Sequence, residues 1–469
     1  MLTQRKHRLI EIEWPEFGQS APPLQPNYDE FASRLDLARS EMEKLGLTHL
    51  VVYGDREHFA NLAYLTGFDP RFEEAVLIIG GEGDPLILVG VECFGYLNVS
   101  PLYVKGKLRS EIFQSFSLLN MPRGNSRLIK DIFIGEGINE NAVIGCVGWK
   151  YFTKSEHPDG NHTIDIPAYL ADTLRQLASW ENVVNATGIF NNPDHGLRTF
   201  CSSTEIAYFE YTNILASEGM KRMLFGVRDG MIDFDFAKLM EYNGVPLGCH
   251  PTLITAQNKD RSLSGPIGSV IRRGGPLAAN ICYWGSNIAR AGWVASSRKD
   301  LPALAQDYVE NFAGVYFEVM NNWFINMKIG TPGDKIDRVI RENLPYDQFG
   351  IYFNPGHLIH LDEWMSSPIY PGSSDCIHSG MAIQVDVIPA SPIYFSTRME
   401  DGIVIADPDF RSHIREKYPE CYARCQKRRD FMIQVLGFEV PEEVLPLSNI
   451  PAIVPPFFLQ PNSILALEP

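Results

Sequence analysis

No stretch of the 469-residue chain approaches the run of about 18 apolar residues that a membrane-spanning helix needs. Positive charge is in deficit. Forty-one Lys and Arg face 57 Asp and Glu, for a formal charge of −16, and such a surface repels a phosphate backbone. This argues against nucleic-acid binding as the main task. The opening residues MLTQRKHRLIEIEWPEF are basic but carry no apolar stretch behind the charges. They do not read as a secretory leader, and the expectation is a cytoplasmic protein. Cysteine is sparse and scattered: eight residues over the whole length suit reduced thiols better than a disulfide framework. The chain also lacks a Gly-rich phosphate loop, a Gly-x-Ser-x-Gly elbow and a His-Glu-x-x-His helix.

Hydrophobic residues make up 45% of the chain, enough for a large core, and the length suggests two or three domains. Residues 1–28 are polar with four prolines and read as an arm on the surface or on a partner subunit. From there to about 195 the pattern is α/β. Phe31, Leu35, Ala38, Met42 and Leu45 recur at helical spacing, and THLVVYGD reads as a buried strand. EAVLIIG and DPLILVG, joined through Gly-Glu-Gly-Asp, read as a hairpin. Asn191-Asn192-Pro193-Asp194 is a breaker, and Ser202 or Ser203 then caps a long helix with acid in its first turn. From 196 to 430, strand-like TLITAQN, PLAANICYW, MAIQVDVIP and GIVIAD are joined by helical stretches without strict alternation, which predicts α+β. Residues 431–469 are rich in proline and apolar residues, and read as an ordered strap.

Several phrases, in order, resemble the pita-bread family of prolidases, proline aminopeptidases and creatinase. LVVYGDREHFANLAYLTGF is similar to the creatinase-like N-terminal domain. LRTFCSSTEIAYFEYT resembles the helix that follows it. RRGGPLAANICYWGSNIAR, NPGHLIHLDEW, SGMAIQVDVIP and STRMEDGIVIAD resemble the phrases that carry the family's metal ligands. The resemblance covers most of residues 30–410. It implies an α+β protein, with a creatinase-like α/β domain followed by a pita-bread domain, that assembles as a homodimer.

In metal-dependent members, two Asp, one His and two Glu hold two divalent cations, because two hard ions about 3.5–4 Å apart need bridging carboxylates. By motif those positions fall on Asn280, Asn287, His357, Asp386 and Glu400. Asparagine offers a neutral carbonyl where a charged bridge is needed. No metal and no other cofactor is therefore expected, although a single ion on His357, Asp386 and Glu400 stays open. Creatinase, which needs no metal, is the instructive relative, but the stretch where its base lies holds only His250, one strand too early.

The expected site is then His357, Asp386 and Glu400 as acid–base groups. Asn280 and Asn287 are expected as hydrogen-bond partners, unless they serve only turn chemistry. Cys282 alternates with Asn280 on one strand face, either as a nucleophile or as an inert buried thiol. Trp364 stands where the family has a second histidine, and Arg398 precedes Glu400. Arg71 and Phe72 follow a turn that, in relatives, can cover the partner's site. His250, His360, Asp362 and Glu363 are weaker candidates, His360 lying near the loop motif but off the family positions. The leading expectation is a metal-independent hydrolase or lyase acting on a C–N bond of a small polar molecule. A non-catalytic interaction module and a mononuclear Xaa-Pro peptidase-like enzyme are the alternatives.

Overall fold

The computed structural model describes residues 5–23 and 25–468. The chain divides into two compact units, one of Leu24–Thr199 and one that joins Met1–Pro23 to Phe200–Pro469.

The first unit is built on a six-stranded mixed sheet. Its order is Arg109–Ile112, Leu86–Val89, Ala75–Gly80, His49–Gly54, Ile144–Val147, Val183–Asn185. The expected hairpin is present: Ala75–Gly80 pairs antiparallel with Leu86–Val89. Ile144–Val147 pairs parallel with His49–Gly54 and with Val183–Asn185. The apolar run LVVY is buried on both sheet faces because successive side chains alternate. Leu50 and Val52 enter one core cluster, and Val51 and Tyr53 enter the other. Asn27 caps the helix Tyr28–Lys44 by accepting from the Glu30 N–H at 3.1 Å.

The second unit carries two antiparallel four-stranded sheets. One runs Arg398–Glu400, Ser286–Trp293, Pro276–Tyr283, Leu253–Thr255; the other runs His357–Leu358, Ala382–Gln384, Gly402–Ile405, Val444–Pro446. The helices Ser203–Gly226 and Gly314–Asn326 contribute to the large apolar cluster of this unit. Ser202 caps the first of these in a reciprocal box with Glu205, as the Ser-x-x-Glu spacing requires.

From Arg5 onward the N-terminal segment is more than an arm. His7–Glu11 pairs antiparallel with Ser463–Leu467, and the buried Trp14 donates to the Pro461 carbonyl at 3.0 Å. The C-terminal strap is ordered and packs on its own chain. All eight cysteines are free thiols, and among the described residues no helix is long and apolar enough to cross a membrane.

Candidate functional site

The hairpin of Pro276–Tyr283 and Ser286–Trp293 sets the floor of the site. It reverses at Gly285, whose φ of +76° only glycine adopts cheaply, and a Cβ there would overlap the Phe209 ring. The register places Ala289 opposite Asn280 on one side and opposite Glu400 on the other. Asn287 and Cys282 face each other one step nearer the turn. Because side chains alternate, these residues share one sheet face.

Both asparagines are committed to hydrogen bonds. The Asn280 carbonyl oxygen accepts from the Thr252 amide and, at 2.7 Å, from its hydroxyl. The Asn280 amide nitrogen donates to the Asn287 oxygen at 3.2 Å. Asn287 in turn donates to Glu400 at 2.7 Å and to Glu363 at 3.1 Å. Asn287 thus presents its N–H groups to two carboxylates, and Asn280 orients Asn287 by donating to its oxygen.

His357 comes from the other sheet. Gly356 before it has φ +114°, and a Cβ there would press on Trp323 and the Gln384 carbonyl. His357 pairs with Gln384 across the ladder. Its Nδ1 lies 3.1 Å from the Leu358 carbonyl, which fixes that nitrogen as the donor. Nε2 then faces Glu363 at 3.4 Å and Asp386 at 3.7 Å without a hydrogen bond to either. Asp386 was expected inside a strand. It lies two residues beyond the end of Ala382–Gln384, where the ladder has stopped and the carboxylate is free to turn into the site.

All of these groups are nearly sealed from solvent: His357 is 9% exposed, Asp386 4%, Glu400 3%. Burial would depress the His357 imidazolium, but Glu363 and Asp386 outweigh it and raise the group to about 9. Burial lifts Asp386 to about 6 in spite of His357. Burial and then the charges of Asp386 and Glu363 hold Glu400 well above the usual carboxylate range. At neutral pH this favours a protonated His357 and an ionised Asp386, and Glu400 is the carboxyl more inclined to keep its proton.

Arg398 lies on the same strand face as Glu400. Its buried Nε has no hydrogen-bond partner, and Nη2 reaches the Ser396 hydroxyl at 3.4 Å. Trp364 is half exposed, with its ring 6.2 Å from that of His357. Cys282 is brought beside Asn280 as expected but is fully buried. Burial and the neighbouring Cys249 thiol hold its sulfur well above the ordinary value, which favours the inert buried thiol over the nucleophile. Arg71 and Phe72 belong to the first unit. Arg71 is 3.5 Å from Asp69 and stacks on Tyr96, while Phe72 is 69% exposed.

Two further residues stand beside these groups, Glu363, which the sequence ranked only as a weaker candidate, and Gln384, which it did not single out. Glu363 bridges Asn287 and His357, and its only signal is an acid pair directly after an apolar run. Gln384 is fully buried, with neither amide atom hydrogen-bonded.

A dinuclear metal centre does not fit these donors. Asn280 has spent its carbonyl on Thr252 and Asn287 has spent its own on Asn280, so no bridging anion stands at either position. A single divalent ion does fit, since His357, Asp386 and Glu400 offer atoms within 4.8 Å of one another. When bound, it would supply a Lewis acid at that point.

No family model and no curated protein matches the sequence. Solved structures do. The prolidase of Pyrococcus horikoshii is 14% identical, with a TM-score of 0.61 over 80% of this chain and 95% of its own. The fold is the pita-bread fold of the prolidases. A recombinant prolidase from Thermococcus sibiricus is 16% identical, with a TM-score of 0.62 over 80% of this chain and 95% of its own. The N-terminal domain of a FACT complex subunit from chickpea (Cicer arietinum) is also 16% identical, with a TM-score of 0.56 over 81% of this chain and 94% of its own. The fold thus occurs both in peptidases and in a subunit of a complex.

Proposed function

We propose that the protein is a metal-independent hydrolase of a C–N bond, amide or guanidino, in a small polar molecule. The observation that carries this reading is the set of buried polar atoms without hydrogen-bond partners: His357 Nε2, Asp386 Oδ1, Arg398 Nε and both amide atoms of Gln384. Buried polar groups are normally satisfied, and an unsatisfied His357 Nε2 3.7 Å from Asp386, with Gln384 opposite His357 in the ladder, suits a ligand. Asp386, ionised at neutral pH, takes a proton from water as the water attacks the amide or guanidino carbon. The His357 imidazolium stabilises negative charge on the attacked group, and Glu400 delivers its proton to the departing nitrogen. Two carboxyl groups held at different acidities by burial thus divide the base and acid roles. Arg398 and Trp364 bound the substrate, and Cys282 only fills the floor.

The test is turnover of a panel of guanidino, amide and lactam compounds, assayed with and without chelator. Hydrolysis that survives chelator, is lost in Glu400→Gln and follows a bell with limbs near pH 6 and pH 9 is expected. Hydrolysis that appears only on adding manganese, cobalt or zinc would overturn the metal-independent mechanism.

A second reading is a non-catalytic interaction module. It is favoured by the near-complete burial of His357, Asp386, Glu400, Asn280 and Asn287. A crystal structure at neutral pH separates the two. An ordered water or small molecule on His357 Nε2 and Asp386 Oδ1 supports the enzyme, and a dry, collapsed cluster supports the module.

A further inference from the structure

A second buried constellation lies apart from this chemistry. Cys201, Glu205 and His360 place a thiol, a carboxylate oxygen and an imidazole nitrogen within 4.8 Å of one another. All three are buried: Cys201 is 5% exposed, Glu205 6% and His360 1%. Glu205 Oε1 is 2.9 Å from His360 Nε2, while its other oxygen accepts from the Ser202 N–H at 2.8 Å. The carboxylate can therefore cap its helix and still turn one oxygen to a cation. The Cys201 N–H donates to the Gly380 carbonyl at 2.9 Å, which fixes the thiol from the backbone. The surroundings are apolar: Ile206, Phe209, Ile359 and Ala406 belong to the same cluster as Cys201, and the His360 ring sits edge-on to Phe209 at 5.3 Å.

We propose that Cys201, Glu205 and His360 bind one zinc ion that ties the start of the helix Ser203–Gly226 to the segment that follows the strand His357–Leu358 and carries Glu363. Thiolate, carboxylate and neutral imidazole are the donor types zinc takes, and the two anions cancel its charge in an apolar shell. Binding releases the thiol proton and the proton shared between Glu205 and His360. Tetrahedral zinc spaces its donors about 3.3–3.8 Å apart. The Glu205–His360 pair must therefore open by about half an ångström, a shift that rotamer adjustment supplies. The role is structural: His360 is three residues from both His357 and Glu363, so the ion fixes the segment between them.

The test uses the full chain, purified without chelator. About one equivalent of zinc is expected in the wild type and in His357→Ala, with affinity lowered about 100-fold or more in Cys201→Ala. Cobalt(II) exchanged into wild-type protein should give a near-ultraviolet thiolate-to-cobalt charge-transfer band, absent in Cys201→Ala and retained in Cys249→Ala. X-ray absorption of the zinc-loaded wild type, which needs no variant, should show one sulfur ligand at about 2.3 Å. A wild type with no sulfur on its zinc, or a cobalt band that survives Cys201→Ala, overturns the proposal. Metal lost with His357→Ala alone also overturns it, by placing the ion in the other site.

Discussion

Glu400 and Asp401 are neighbours in sequence, both carboxylates and both buried, yet they have opposite fates. Asp401 meets Arg290, which points to the opposite sheet face from Ala289 and Ala291. Arg290 gives Asp401 two hydrogen bonds at 2.8 and 3.0 Å. Its remaining donors go to the carbonyls of Ala289, Glu400, Ile450 and Ile453, and Asp401 also accepts from the Ala452 N–H at 2.9 Å. Every donor of that guanidinium is spoken for. Glu400, one residue away, bonds an asparagine amide and sits among two further acids, with no arginine hydrogen bond to its carboxylate, and His357 and Asp386 beside it keep atoms without partners. A saturated buried charge is scaffold, and an unsaturated one is poised for a ligand.

The largest effect should come from breaking the saturated side. Arg290→Met leaves Asp401 buried and unpaired, and a loss of about 3–5 kcal/mol in chemical denaturation is expected. A loss below about 1 kcal/mol would mean that the pair does not hold the strap.

The unsaturated side should show itself in pH. The folded protein holds the His357 proton to about 9, against an ordinary value of 6.5. The protonated imidazole therefore contributes stability that is fully present below pH 6.5 and is lost as pH rises through 9. Urea midpoints across that window should fall in the wild type and lose that slope in His357→Gln. A slope unchanged by the substitution would remove the charge assignment.

The smallest effect is expected at Cys282, which shares the sheet face with Asn280 but fills space only. Cys282→Ala should cost about 1 kcal/mol of stability and leave turnover and its pH limbs unchanged. Loss of turnover in a folded variant would return the thiol to the chemistry.

Much of this was legible in the sequence, for local reasons. Alternation along Leu50-Val51-Val52-Tyr53 follows from strand geometry, and the Ser202–Glu205 box follows from helix-end chemistry. The order of motifs gathered His357, Asp386 and Glu400 because those motifs mark strand ends of the fold. What escaped was long-range. Asn287 reaches Glu400 across 113 residues, and Thr252 takes up the Asn280 carbonyl across 28. Nothing in the neighbourhood of either asparagine announces which way its amide turns. Gln384 reads as an ordinary strand residue until burial and the lack of partners are known. Glu363 was underweighted because an acid in a loop is usually solvated, and only the fold shows it turned inward.

The central claim is that Asn280 spends its carbonyl on Thr252 and Asn287 spends its own on Asn280 while donating to Glu363 and Glu400, which closes the two-metal option. The most direct measurement is an anomalous difference map from crystals soaked in manganese. No pair of peaks about 3.5–4 Å apart should appear between the two asparagines and Glu400. Two such peaks, with both asparagine carbonyls turned onto the ions, would contradict the account and restore a dinuclear peptidase.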